Sequence, residues 1–195
     1  MASRKGTNEL LRALLIFMAI ESPPWGVSPC HAAEVGFEPK STPTKAEWQH
    51  FHKMSDAQLA KLWSYQTGRG NKSLSDWSWQ WRMGWLQRCG TQSLGVICQP
   101  ILLTGLKDDA MVIRAEAATR IGDRFAGKSS PTLIDAMTAA YKDPRNTRNG
   151  SPLFVCDRIL EALRKIGGKR ASSVAARLAK AYPETKEYWA KINRH

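Results

Sequence analysis

A chain of 195 residues with 43% hydrophobic and 24% charged side chains has a globular composition and is long enough to bury a core. Its 29 basic residues against 17 acidic ones give a formal charge of +12. Such a field attracts nucleic acid, anionic lipid or acidic protein surfaces, and says nothing about fold. No apolar run reaches the ~18–20 residues of a membrane span, so no spanning helix is expected.

The first element in chain order reads as an export signal. Arg4, Lys5 and Arg12 form a basic region, and Leu10, Leu11 and residues 13–20 an apolar stretch. Residues 21–31, broken by Pro23, Pro24 and Pro29, lead to Cys30-His31-Ala32-Ala33. Cleavage after Ala32 leaves small side chains on either side of His31, the small-x-small pattern of a signal peptidase site. Residues 1–32 are thus expected to be a signal peptide, and the mature chain to be periplasmic or secreted. Removal takes Arg4, Lys5 and Arg12 but also Glu9 and Glu21, so export does not consume the basicity.

Residues 33–45, with Pro39 and Pro43 among serines and threonines, read as a linker. From about Lys45 the pattern is helical. Ser55-Asp56 caps a helix over 57–67, with Leu59, Leu62, Trp63 and Gln66 three or four apart. Residues 67–71 form a turn. Residues 73–85 carry four tryptophans. Trp77, Trp79 and Trp81 alternate as in a strand, yet Trp77, Trp81 and Trp85 also share a helical stripe with Leu74, Leu86 and Cys89. A helix is predicted because the neighbours are helical, with Trp79 on its opposite, exposed side. The rings either plug the end of a helical stack or offer a stacking surface for bases or sugars. Residues 46–94 are accordingly a Trp-rich N-terminal capping region. Further helices are expected over 95–106, 111–126, 131–142, 152–166, 171–181 and 185–192, with no Val/Ile/Thr-rich alternation to build a sheet.

One internal repeat stands out. Glu116-Ala117-Ala118-Thr119-Arg120-Ile121-Gly122 matches Glu161-Ala162-Leu163-Arg164-Lys165-Ile166-Gly167 at an offset of 45. Each follows a Lys-Asp turn, Lys107-Asp108-Asp109 or Lys142-Asp143-Pro144. With Leu102-Leu103-Thr104-Gly105-Leu106 before the first turn and Val112-Ile113-Arg114-Ala115 after it, the arrangement resembles the HEAT repeat family, including its short phycobilisome-lyase-type members. The resemblance implies an all-α fold, a right-handed α-α superhelix in which 95–195 are stacked HEAT-like hairpins with C-terminal helices. It also implies a structural Arg114 whose guanidinium pairs with Asp108 or Asp109 in the interhelical turn. The second repeat departs in two ways: Ile159 takes the Arg114 slot, and residues 145–151 lengthen its loop.

Chemistry is sparse. His50 and His52 lie two apart and do not share a helical face, and His195 is the last residue. No phosphate loop, nucleophile elbow or metal-ligand spacing is present, so no enzyme, cofactor or metal is expected. In an oxidising compartment Cys89 and Cys98 are expected to form a disulfide, with Gly90 and Gly95 flexing the link, while Cys156 stays a buried free thiol. The repeat places Arg120 on Lys165 and Arg124 on Lys169, so stacked helices would carry a basic ladder that Arg164 widens. The competing reading is that Glu116 and Glu161 neutralise Arg120 and Lys165. The function expected is an exported, non-enzymatic scaffold that binds an acidic protein through this face, with Trp79 as a further contact. A nucleic-acid-binding HEAT-like protein and a lyase-like enzyme or accessory are the alternatives.

Overall fold

The computed structural model describes residues 38–68, 74–91 and 94–181, apart from the side chains of residues 91 and 181. The signal segment expected over 1–32 and the helix expected over 185–192 lie outside them. The described residues form an all-α unit.

Helix α1 (Lys45–Lys53) starts at a capping box. The Glu47 N–H donates to the Thr44 hydroxyl (3.3 Å), and the Glu47 carboxylate accepts the Thr44 N–H (2.6 Å). His50 and His52 fall in its last turn. Helix α2 (Asp56–Gly68) repeats the device with Ser55 and Gln58. The chain then makes a 3-10 turn, Leu74–Asp76, and helix α3 begins at Trp79 and runs to Thr91. The continuous helix predicted through this segment is therefore broken at Trp77-Ser78. The cause is tertiary, since the Ser78 N–H leaves the helical ladder and donates to the Pro39 carbonyl (2.7 Å). Pro39 is itself buried, so the end of the expected linker is packed onto the fold.

A 3-10 turn (Gly95–Ile97) leads into α4 (Cys98–Gly105), and α5 (Met111–Arg124) completes a first hairpin. Helix α6 (Pro131–Tyr141) opens with proline in its first turn, where no backbone donor is lost. A 3-10 turn (Pro144–Asn146) precedes two short antiparallel strands, β1 (Thr147–Arg148) and β2 (Ser151–Pro152). Between them Asn149 (φ 52°) and Gly150 (φ 79°) take the left-handed backbone of a two-residue hairpin turn. No strand was expected; the Asn-Gly pair was its sequence signal. Helices α7 (Phe154–Ile166) and α8 (Gly168–Ala181) follow.

Helices α3, α5 and α7 lie in a row, the α5–α7 contact being the most extensive. Helix α4 packs on α3 and α5, α6 on α7, and α8 on both α6 and α7. The two ends of the row are packed differently. Between α5 and α7 the contact is made by small side chains, and a Cβ added to Gly122 would meet the Ala162 Cα at 2.8 Å. Ile159, in the slot that Arg114 fills one repeat earlier, is fully buried core. Beside α3 the contact is aromatic: Phe51 stands 5.4 Å from Trp81 and 5.2 Å from Trp85, and Trp63 stands 5.2 Å from Trp85. Trp77, Trp81 and Trp85 are all buried, and Trp79 is 52% exposed.

Candidate functional site

Arg114 is buried on the first turn of α5. Its Nη1 donates to the carbonyls of Asp108 (2.7 Å) and Asp109 (2.8 Å), its Nε to the Asn146 carboxamide (2.8 Å) and its Nη2 to the Arg145 carbonyl (3.0 Å). The acceptors thus differ from those the family pattern implies. Arg114 uses the backbone of the Asp108-Asp109 turn and the long loop of the next repeat, not the carboxylates. The Asp108 carboxylate is engaged elsewhere, by Arg82 (2.5 Å) and the Ala110 N–H (2.8 Å). That of Asp109 pairs with Arg145 (2.9 Å). Asn146, which the sequence reading missed, is fully buried and acts as a junction. It donates to the Ala140 carbonyl (2.8 Å) and accepts from the Leu153 N–H (2.8 Å) as well as from Arg114.

The residues of the expected ladder are brought close but not left as a row of free cations. Arg120 binds Glu116 (2.7 Å) and reaches Asp123 (3.9 Å). Lys165 binds the same Asp123 (2.8 Å) and Glu161 (3.1 Å). The α5–α7 surface therefore alternates acid and base, as the competing reading required, and Asp123 is the shared acceptor that neither reading named. Glu161 is held below the usual carboxylate range, first by the Lys165 hydrogen bond, and Lys165 is raised, first by Asp123. Arg124 turns the other way and donates to the carbonyls of Cys89 (3.0 Å), in the last turns of α3, and Gly95 (3.4 Å), in the 3-10 turn that follows. Arg88 caps α1 in the same manner through the carbonyls of His52 (2.9 Å) and Met54.

Segments carrying three other basic residues meet at the far end of the row. The loop after α5 lies on the α7–α8 turn: the Gly127 N–H donates to the Lys165 carbonyl (2.9 Å), and Ser129 packs against Gly168. Lys128 lies within that loop, Arg164 in the last turn of α7 and Lys169 at the start of α8. All three are exposed, and none forms an ion pair with a described residue. The nearby carboxylates of Asp123, Glu161 and Asp135 are each held by a basic side chain, Asp135 by Arg170 (2.6 Å). Lys128 was missed because it lies in a loop outside the repeat; its neighbour Gly127 (φ 69°) was the available sign of a specific turn.

The Trp79 ring borders an open cleft of roughly 280 Å³, whose walls include Trp48, Met83 and Pro43. Cys89 and Cys98 are both buried free thiols in contact. Their mutual hydrogen bond raises Cys89, with burial adding to it, and lowers Cys98. Cys156 is pushed up to about 12 by burial. Among the described residues no group of three or more His, Cys, Asp or Glu side chains is placed to hold a metal ion, and no helix is long and apolar enough to cross a membrane. No family model, curated protein or solved structure matches the chain.

Proposed function

We propose that this chain is a HEAT-like, non-enzymatic adaptor, exported after cleavage near Ala32, that binds an acidic protein surface through the basic edge of Lys128, Arg164 and Lys169. The observation that supports the reading is the contact between the Gly127–Ser129 loop and the α7–α8 turn, which joins the segments that carry these three exposed cations. Grouped charge produces a local field that dispersed charge does not. The row of α3, α5 and α7 supports a stacked arrangement of hairpins, because neighbouring repeats of such a stack touch through equivalent helices.

The test is retention on immobilised polyglutamate at two salt concentrations. Charge reversal of Lys128, Arg164 and Lys169 to Glu should abolish retention at low salt, whereas reversal of the exposed Lys53 and Lys61 should not. Binding of the unchanged chain should weaken as the screening length shrinks toward ~8 Å at physiological ionic strength. Equal retention of both variants sinks the reading, and tighter capture by duplex DNA than by polyglutamate moves it to nucleic acid. The export part has its own readouts. Protein recovered from its native cell should begin near Ala33, with Cys89 and Cys98 bridged and Cys156 alkylatable on unfolding. A full-length cytosolic product with three free thiols would contradict it.

A further inference from the structure

The Trp79 cleft is a second place where this chain can hold a partner, and its chemistry narrows the occupant. The cleft opens where two helices begin. Thr44 caps α1, Lys45 is its first residue, and Trp79 and Gln80 are the first two residues of α3. The Trp48 wall is backed by other rings, standing 5.9 Å from Trp81 and 6.3 Å from Phe51. Trp79, by contrast, presents its ring to solvent while the other three tryptophans of its segment are buried. An apolar pocket with one ring-backed wall and one exposed ring suits an anchoring side chain at an interface.

Size and polarity set the ligand class. At roughly 280 Å³ the cleft lies just below the ~300–1,000 Å³ range of small-molecule sites, so it suits one large side chain rather than a drug-sized ligand. Of its polar groups, the Thr44 hydroxyl donates to Glu47 (2.7 Å) and the Gln80 amide N–H to Thr42 (3.4 Å), while the Gln80 carboxamide oxygen is buried without a partner. A saccharide, which needs several converging hydrogen bonds, is poorly served by that one acceptor. A cation is disfavoured by Lys45 on the rim. Glu47, the nearby carboxylate on α1, is turned back onto Thr44. What remains complementary is an apolar side chain flanked by carboxylates.

We propose that the Trp48–Trp79 cleft receives a single aromatic or large aliphatic side chain from an acidic peptide segment, with Lys45 on its rim facing the flanking carboxylates. The proposal rests on the acidic-partner reading above and supplies the anchor that a purely ionic contact lacks. Ionic contact at exposed sites sets encounter and orientation, whereas a buried ring supplies affinity.

The experiment uses the full chain and a blocked Glu-Asp-Phe-Glu-Asp peptide, followed at the indole N–H resonance of Trp79, identified with Trp79→Phe. Peptide should shift this resonance saturably. Trp79→Ala should weaken binding by about tenfold or more, the loss typical of a central interface residue. A peptide with Ala for Phe should not bind. Lys45→Glu should weaken the acidic peptide severalfold and favour a Lys-Lys-Phe-Lys-Lys peptide, an inversion that misfolding cannot produce. Reversal of Lys128, Arg164 and Lys169 should leave the titration unchanged, so cleft and basic edge fail separately. Equal binding of the Phe and Ala peptides, an unmoved Trp79 resonance, or no inversion in Lys45→Glu overturns the proposal. So does a Trp79 response to oligothymidine and not to the peptide, which would assign the ring to a base.

Discussion

The two ends of this helical row solve the same packing problem with opposite materials. Beside α3, large rings fill the space between helices: Phe51, Trp63, Trp77, Trp81 and Trp85 touch one another at 5.2–6.1 Å. Between α5 and α7, the helices approach until Gly122 lies against the Ala162 backbone. The ring-filled end gains burial per residue and keeps some give, because ring edges can shift. The small-residue end gains close approach and has none. Removal should therefore be the costly change at the first end, and addition at the second.

The largest effects should come from deletions. Trp85→Ala should cost about 3–5 kcal/mol through lost burial and the cavity left behind. Arg114→Ala should cost a similar ~3–5 kcal/mol, because it strands the buried carboxamide of Asn146 and three carbonyls. Urea midpoints decide both, and a loss under 1 kcal/mol in either would mean that its site can collapse. Intermediate effects separate the two ends directly. Gly122→Ala should cost about 1–3 kcal/mol, since its Cβ meets backbone that cannot yield. Gly84→Ala meets the Trp48 ring at 3.0 Å, and the gain of up to about 1 kcal/mol in helix propensity should largely offset that contact. If both substitutions destabilise alike, the contrast in give is wrong.

Smaller still is Thr44→Ala, which removes the α1 cap and should cost about 1 kcal/mol, read as a melting shift. The smallest expected effect is pH-dependent. The Arg145 side chain holds the Asp143 carboxyl below its ordinary range, so the native state prefers its charged form. That stability is present above the unfolded value near ~3.9 and is lost as pH falls through the lower folded one. Asp143→Asn should therefore flatten the acid limb of the urea-midpoint profile. An unchanged limb would assign acid sensitivity to other carboxylates.

The helices themselves were legible in the sequence, because their apolar spacing is local information. So was Trp79 as the ring off the buried stripe. What escaped was tertiary. Nothing around Ser78 announces that its N–H will pair with Pro39, so the break before α3 was invisible. The repeat put Arg120 and Lys165 side by side, but comparing equivalent positions ignores what lies between them, and Asp123 has no counterpart one repeat later. The high basic count invited a surface reading for residues that serve neighbouring chain ends. Arg88, Arg114 and Arg124 donate to main-chain carbonyls, so part of the formal charge is structural. Lys128 entered the basic edge proposed above only once its loop was placed.

The Arg114–Asn146 junction carries a consequence for how the chain comes apart. Its bonds tie the first hairpin's turn to the loop that opens the second hairpin's last helix. In the one-dimensional stack proposed above, repeats open singly when the coupling between neighbours is weak and together when it is strong. A junction that belongs to both hairpins raises that coupling. The amides of α5 and α7 should then exchange with solvent at a common rate, as one cooperative unit, while the ends of the row fray ahead of them.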